Sequence, residues 1–184
     1  MQASPTLTDA HLLHGWRDGD ERAGSELIRR HAGRLYEFFA SKVSRGAEDL
    51  CQQTLAACVE SKDRIEDDGH SRTFRSYMFA IARSKLINHY RDRERHDRRF
   101  DPLLTTAAQL TGGLSEAVAR KAERHRLRRA LEGLPIDAQI VLELHYWDQL
   151  RVREIAAVLD VPEGTVKARL SRARRHLQRE LASR

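Results

Sequence analysis

The chain has 184 residues, of which 40% are hydrophobic and 33% charged, and it carries a net charge of +6 with a pI of about 9.7. Its mean hydropathy of -0.64 and the lack of any apolar run near the ~20 residues of a membrane span argue against membrane insertion. The length allows one domain or two small ones. The net positive charge favours a polyanionic partner.

The first eleven residues, MQASPTLTDAH, lack the basic and apolar regions of a secretory signal, so we expect a cytoplasmic protein. Cys51 and Cys58 are seven positions apart on one predicted helix, which places their Cα atoms ~10 Å apart. That distance is too long for a disulfide. We therefore expect two buried free thiols in a reducing compartment.

Apolar residues recur at helical spacing and no β-alternation of any length occurs, so the predicted fold class is all-α. In the first half, the spacing predicts helices from Thr8 or Asp9 to about Asp18, from Glu21 to about Val43, from Ala47 to about Lys62, and from Phe74 to about Arg93.

The third and fourth of these helices each have two distinct faces, because residues three or four positions apart are neighbours on a helix. The third is predicted to bury Leu50, Cys51, Leu55, Cys58 and Val59. Its polar side comprises Asp49, Gln52 and Gln53. The fourth is predicted to bury Phe74, Tyr77 and Phe79. Its exposed side is predicted to hold Arg75, Arg83, Lys85, Asn88, His89, Tyr90 and Arg91.

A proline and a glycine pair mark the predicted domain boundary. Phe100-Asp101-Pro102 ends the helical pattern, and the weakly patterned stretch that follows closes on Gly112-Gly113. We expect an N-terminal domain at residues 1–99, an adaptable linker at 100–114 and a C-terminal domain at 115–184. The C-terminal domain is predicted to begin with helices from about Ser115 to Glu132 and from Pro135 to about Tyr146.

A helix-turn-helix is predicted between Val152 and Leu177. Asp160 to Gly164 separate its two helices, because Asp tolerates a left-handed turn and Pro162 lacks the N–H of a continuing helix. The second helix has an apolar side and an arginine-rich rim, which is typical of a recognition helix for the major groove. An ordinary helical hairpin with a solvated basic face is the alternative. The predicted inward residues are Val152, Ile155, Ala156, Leu159, Val166, Leu170, Ala173 and Leu177.

The two halves together resemble bacterial sigma factors of the extracytoplasmic-function (ECF) group. The resemblance runs without a gap from Leu134 to Leu177, and in the first half it rests on AEDLCQQT (47–54) and FRSYMFAIARSKLINHYR (74–91). It implies binding of RNA polymerase core, through the largest-subunit clamp helices and the second-largest-subunit flap. It also implies binding of double- and single-stranded promoter DNA and of an anti-sigma factor.

The resemblance assigns three groups of residues. Core polymerase docking is implied for Asp49, Gln52 and Gln53. Contact with the minus-ten element, where strand opening needs a basic track and platforms for unstacked bases, is implied for Arg64, His70, Arg72, Arg83, Lys85, Asn88 and Arg91. Contact with the minus-thirty-five element is implied for Thr165, Lys167, Ala168, Arg169, Ser171, Arg172, Arg174 and Arg175. Among the last group we expect Arg172 to read a base edge, and Arg169, Arg174 and the neighbouring Arg179 to contact phosphate.

Five positions depart from the family pattern. Arg151 stands where serine usually caps the helix, and an arginine cap costs ~1 kcal/mol because it cannot accept the unpaired N–H bonds. We expect this helix to depend more on burial of Ile155 and Leu159. Gln139 replaces a usual arginine, which would remove a phosphate contact. The other departures are Tyr77 for tryptophan, Ser84 for asparagine and Gln149 for glycine.

Two other functions are open to such a chain. A helix-turn-helix regulator that never joins polymerase would leave the Asp49–Gln52 helix and the Phe74–Arg91 helix unexplained. A metal-dependent nuclease would need ligands from among the nine histidines. His11 and His14 have suitable spacing, but no Cys or carboxylate cluster completes a ligand set. We expect no enzymatic activity, no metal and no cofactor.

Overall fold

The computed structural model describes residues 7–70, 72–93, 127 and 129–182. Within these ranges the chain is helical with no strand, which confirms the all-α fold class. The linker predicted at 100–114 and the predicted helix start at Ser115 lie outside the described residues, although residues 129–132 are helical. The helices are α1 (Asp9–Arg17), α2 (Glu21–Ala40), α3 (Ala47–Glu60), a 3-10 turn (Lys62–Arg64), α4 (Phe74–Arg93), α5 (Ile136–Tyr146), α6 (Val152–Leu159) and α7 (Glu163–Ala182).

The first two helices are fixed by their caps and by one close contact. Thr8 Oγ1 accepts a hydrogen bond from the N–H of His11, and the Asp20 carboxylate caps α2. Trp16 packs flat on Gly24, where an added Cβ would lie 2.4 Å from the indole Nε1. Glycine therefore lets α1 and α2 approach more closely than any larger residue would allow.

Several buried positions differ from the predicted ones. Helix α2 ends at Ala40 rather than Val43, although Val43 is still buried. Val59 is 49% exposed because the buried side of α3 runs through Leu50, Thr54 and Cys58, and the position after Cys58 lies on an outward side of the helix. Tyr90 is buried rather than exposed, because its hydroxyl donates to the Lys42 carbonyl just after α2 at 2.5 Å.

The two cysteines are free and buried, as predicted. Burial raises the pKa of the Cys51 thiol, and it raises the pKa of Cys58 to about 12. Both side chains therefore behave as small apolar residues of the core at neutral pH.

The helix-turn-helix forms as predicted from α6 and α7. Asp160 ends α6 with a left-handed φ of 53°, and the Pro162 carbonyl then accepts from the N–H groups of Thr165 and Val166. Val166, Leu170 and Ala173 are buried, and Leu177 packs partly buried against the core. None of the helices in the described ranges is long and apolar enough to cross a membrane.

Candidate nucleic-acid interface

The polar side of α3 is open to solvent. Asp49, Gln52 and Gln53 are all exposed, and Gln53 Nε2 donates to Asp49 Oδ2 at 2.7 Å. Val59 adds an exposed apolar side chain two turns beyond Gln52. Val59 was assigned to the core as an apolar residue, although it lies outside the i, i+4 row of Leu50, Thr54 and Cys58 that the domain buries.

The loop before α4 is organised by two carboxylates. Asp68 Oδ1 accepts from the N–H groups of His70 and Arg72 at 2.7 and 2.9 Å, and Gly69 takes a left-handed φ of 65° in the turn between them. Asp67 Oδ2 accepts from the N–H of Phe74 at 3.1 Å and so caps α4.

A cavity of about 330 Å³ opens between this loop and α4. It brings together Arg64, Arg72 and Tyr77, with Ala157 of α6 on its wall, while the exposed His70 lies outside its lining. The guanidinium of Arg72 is paired with the carboxylate of Glu66. An aromatic ring beside two guanidinium groups is a surface on which a nucleic acid base can stack.

The predicted basic side of α4 is divided. Asn88 and Arg91 are exposed and Lys85 is half-buried, so these three can face a nucleic acid strand. Arg83 was predicted to do the same but faces the C-terminal domain, where its Nε and Nη2 donate to the two carboxylate oxygens of Asp137 at 2.9 and 3.0 Å. Arg75 also turns this way and donates to the backbone carbonyl of Asp148.

Asp137 joins α4 and α7. Its carboxylate is 3% exposed and accepts a third hydrogen bond, from Arg169 Nη1 of α7, at 3.1 Å. Arg169 was expected to contact phosphate, but it is nearly buried against Asp137 because α5 crosses beneath that side of α7. Gln139 is also buried, donating to the Leu134 carbonyl at 2.9 Å, so this position does not lie on an open basic surface.

The remainder of the predicted α7 surface is open. Thr165 is half-buried, and the exposed residues are Lys167, Ala168, Ser171, Arg172, Arg174 and Arg175. The Arg174 guanidinium lies 5.5 Å from the centre of the Tyr146 ring, a cation–π contact that fixes its direction. A shallow groove of about 430 Å³ runs beside Lys167, Ser171 and Arg175. The helix therefore presents one continuous basic surface.

The start of α6 lacks a side-chain cap. The Arg151 side chain makes no capping hydrogen bond. Glu154 compensates in part, because its Oε2 accepts from the Arg151 N–H at 2.8 Å. Its Oε1 accepts from the Thr73 hydroxyl of the N-terminal domain at 3.0 Å, and Ile155 and Leu159 are buried as expected.

Two protein-family models match the chain, Sigma-70 region 2 over residues 27–96 and Sigma-70 region 4 over residues 124–177. The ECF RNA polymerase sigma factor RpoE of Cereibacter sphaeroides is 30% identical over 174 residues, covering 90% of this chain and 93% of that protein. The chain belongs to the ECF sigma factors. It is also 26% identical to the ECF RNA polymerase sigma-E factor of Escherichia coli K12 over 180 residues, 93% of each chain.

Solved structures show the same fold for this sigma factor. CnrH, solved in complex with the cytosolic domain of CnrY, matches with a TM-score of 0.68 and 27% identity over 94% of this chain and 96% of CnrH. The sigma factor RpoE of Bartonella quintana, solved with the anti-sigma factor NepR, matches with a TM-score of 0.67 and 24% identity over 87% of this chain and 98% of that one.

Family membership decides between a sigma factor and a helix-turn-helix regulator that acts without polymerase. A sigma factor associates with RNA polymerase and directs transcription initiation, and both sigma regions are present here in the family's order. A helix-turn-helix regulator acting without polymerase is not favoured, because it leaves the region 2 match unexplained. Sigma factors are regulators of initiation rather than enzymes. Among the described residues, no three His, Cys, Asp or Glu side chains gather as metal ligands would.

Proposed function

We propose that this sigma factor docks on core RNA polymerase through the exposed face of α3, formed by Asp49, Gln52 and Gln53. The observation that carries this proposal is the division of α3. Leu50, Cys51, Thr54 and Cys58 are buried against the domain, so the helix is held rigidly while its polar side stays free. The resemblance assigns the same polar residues to the polymerase clamp helices.

Promoter recognition is divided between the two domains in this proposal. The cavity with Arg64, Arg72 and Tyr77 takes an unstacked base at the minus-ten element, and Lys85, Asn88 and Arg91 follow the separated strand. In the C-terminal domain, α7 enters the major groove of the minus-thirty-five element through Lys167, Ala168, Ser171 and Arg172. His70 is exposed beside the cavity and contacts the strand next to the captured base.

A cytoplasmic anti-sigma partner completes the proposal. CnrH, which this chain resembles over nearly its whole length, was solved with the cytosolic domain of CnrY. We extend that relationship to the present chain and place both proteins in the cytoplasm, where RNA polymerase acts.

The docking face is tested with Asp49→Ala combined with Gln52→Ala. We expect the affinity for purified core polymerase to fall ~10-fold or more, since two central contacts are worth ~1 kcal/mol or more each. The fold should be unchanged, because exposed substitutions move stability by less than ~0.5 kcal/mol. The measurement is a titration of labelled sigma factor with core enzyme, followed by promoter-dependent transcription.

A control changes one glutamine and one carboxylate residue elsewhere. Gln178→Ala with Glu180→Ala alters two exposed residues near the end of α7, away from α3, and should leave core affinity unchanged. Equal affinities for the α3 variant and the unaltered chain would show that docking uses a different surface.

A further inference from the structure

A histidine lies in the shallow groove beside α7. His145, in the last turn of α5, lines this groove of about 430 Å³ together with Lys167, Arg174 and Arg175 of α7. We name these three α7 residues the groove cations. Helix α6 contributes Val152 to the lining, which carries no charge. The charged side chains that line the groove with His145 are therefore all basic, and such a lining attracts phosphate.

The His145 ring is held in one orientation by two contacts. Its Nδ1 lies 3.4 Å from the backbone carbonyl oxygen of Leu150. Because a carbonyl oxygen can only accept, Nδ1 carries the hydrogen and donates it. The Tyr146 ring packs on the His145 ring in a T-shaped contact with 4.9 Å between the ring centroids. The neutral ring therefore has its lone pair on Nε2, at the opposite edge, and only protonation turns Nε2 into a second donor.

Opposing electrostatic effects act on a positive charge at the His145 ring. The C-terminal end of α5 favours the charge, because the last carbonyl groups of a helix are partially negative. The groove cations disfavour it by repulsion. The carboxylates of Glu143 and Asp148, on either side in the sequence, pair instead with cations of the N-terminal domain. A DNA phosphate in the groove would neutralise the groove cations and accept a hydrogen bond from Nε2, so DNA binding and protonation of His145 should promote each other.

We propose that His145 is a proton-dependent phosphate contact of the C-terminal domain, through which this sigma factor binds duplex DNA more tightly as the pH falls from about 8 to about 6. The proposal rests on the assignment of α7 to the major groove made above. It adds the end of α5 to the surface that meets the DNA backbone. Because phosphate contacts carry no sequence information, protonation should tighten binding to all sequences about equally and leave the base preference to α7.

The test measures the affinity of the full chain for DNA at two pH values. A short duplex of mixed sequence, labelled with a rhodamine dye, is titrated at about pH 6 and about pH 8 at constant ionic strength. A mixed sequence suffices because the contact is to phosphate. Fluorescence anisotropy gives the Kd. We expect the unaltered chain to bind ~5-fold more tightly at the lower pH, the effect of one partly exposed charge contact.

Two substitutions at the same position separate charge from packing. His145→Gln should lose most of the pH dependence, because glutamine is never charged. His145→Arg should bind as tightly at the higher pH as at the lower one, because arginine is always charged. His14→Gln, which alters an exposed histidine of α1, should keep the full pH dependence. Circular dichroism at both pH values confirms that each variant retains its helices.

An undiminished pH dependence in His145→Gln would overturn the proposal, because the proton would then be taken up elsewhere, for example at His70. Equal affinities of the unaltered chain at both pH values would overturn it as well. Lys167→Ala tests the assignment of α7 separately and should weaken binding at both pH values. Unaltered binding by Lys167→Ala would show that α7 does not hold the DNA, whereas a failure confined to His145 leaves the loss in Lys167→Ala intact.

Discussion

Gln149 and Asp160 both adopt a left-handed backbone with φ of 53°, at the ends of consecutive helices. After α5, the Leu150 N–H reaches back to the Leu144 carbonyl at 2.8 Å, a closure that requires a left-handed residue at position 149. This geometry explains why glycine is usual there in the family. It also shows that glutamine is held in a strained conformation in this chain.

Replacing Gln149 with glycine should therefore stabilise the protein by about 0.5–1 kcal/mol, since relief of strain exceeds the added entropy of the unfolded chain. Urea unfolding followed by circular dichroism measures the change. Asp160→Gly is the matched comparison and should gain less, because aspartate tolerates the left-handed region. A loss of stability in Gln149→Gly would mean that the exposed glutamine side chain contributes a contact that outweighs the strain.

The carboxyl group of Asp9 makes the stability of the folded protein depend on pH. Burial alone would raise the pKa of the Asp9 carboxyl group. The His31 ring, whose Nε2 lies 2.7 Å from Asp9 Oδ2, and then Arg30 outweigh burial through hydrogen bonds and charge, and they hold this pKa below its ordinary value of 3.8. A carboxyl group with a lowered folded-state pKa stabilises the protein above pH 3.8. That stabilisation is lost as the pH falls through the lower, folded-state pKa.

We expect Asp9→Asn to cost about 0.5–1 kcal/mol at neutral pH, because the group is only partly shielded from solvent. The difference in free energy of unfolding between this variant and the unaltered protein should narrow steadily below pH 3.8. Chemical unfolding at neutral and strongly acidic pH gives both values, with Asp63→Asn as an exposed aspartate for comparison. A constant difference across this range would exclude the carboxyl charge as its source.

At the scale of elements, α7 combines several kinds of arginine on one helix. Arg172 is exposed on the outward side, Arg174 lies over the Tyr146 ring, and Arg169 is held by Asp137. Arg172 can enter a groove of DNA, whereas Arg174 is directed along the side of the helix towards Tyr146. The third supports the domain from within and is the least available to DNA.

We therefore expect Arg172→Ala to cost ~1–3 kcal/mol and to relax the preference at one base pair of the minus-thirty-five element. Arg174→Ala should weaken all sequences about equally and lower the salt slope by ~1. Binding to a library of single-base promoter variants at two salt concentrations separates these effects. A uniform loss for Arg172→Ala would identify it as a phosphate contact and would require a rotated docking of α7.

The elements themselves were largely predictable because they depend on local sequence. Thr8, Asp160 and Pro162 act on neighbouring backbone groups, and apolar spacing determines which side of each helix is buried. Val59 was misplaced because a polar residue, Thr54, forms part of the buried side of α3, so apolar spacing alone placed that side too far round the helix. Local apolar spacing predicts helices well, but it misplaces the edge of a buried side that includes a polar residue.

At the scale of the whole molecule, Arg83 and Tyr90 were both predicted to be exposed on α4, and each instead contacts a residue distant in sequence. Arg83 meets Asp137 across 54 positions of sequence, and Tyr90 meets the Lys42 carbonyl across 48. No periodicity reports on such pairs, because each partner has an ordinary surface pattern on its own helix. The exposure of Asp49, Gln52 and Gln53 on α3 and of the outward residues of α7 was predictable for the opposite reason, since it depends only on the pattern of their own helix.

The positions of the tryptophans make the intrinsic fluorescence of this sigma factor informative. The sequence contains two tryptophans, Trp16 and Trp147. Trp16 is buried against Gly24 in the N-terminal domain, whereas Trp147 is 50% exposed and is the residue before Asp148, whose carboxylate pairs with Arg34 of that domain. Light emitted by the first indole therefore reports the integrity of one domain. Emission from Trp147 responds to the solvent and charges around it at the boundary between the two domains. No dye has to be attached to the protein.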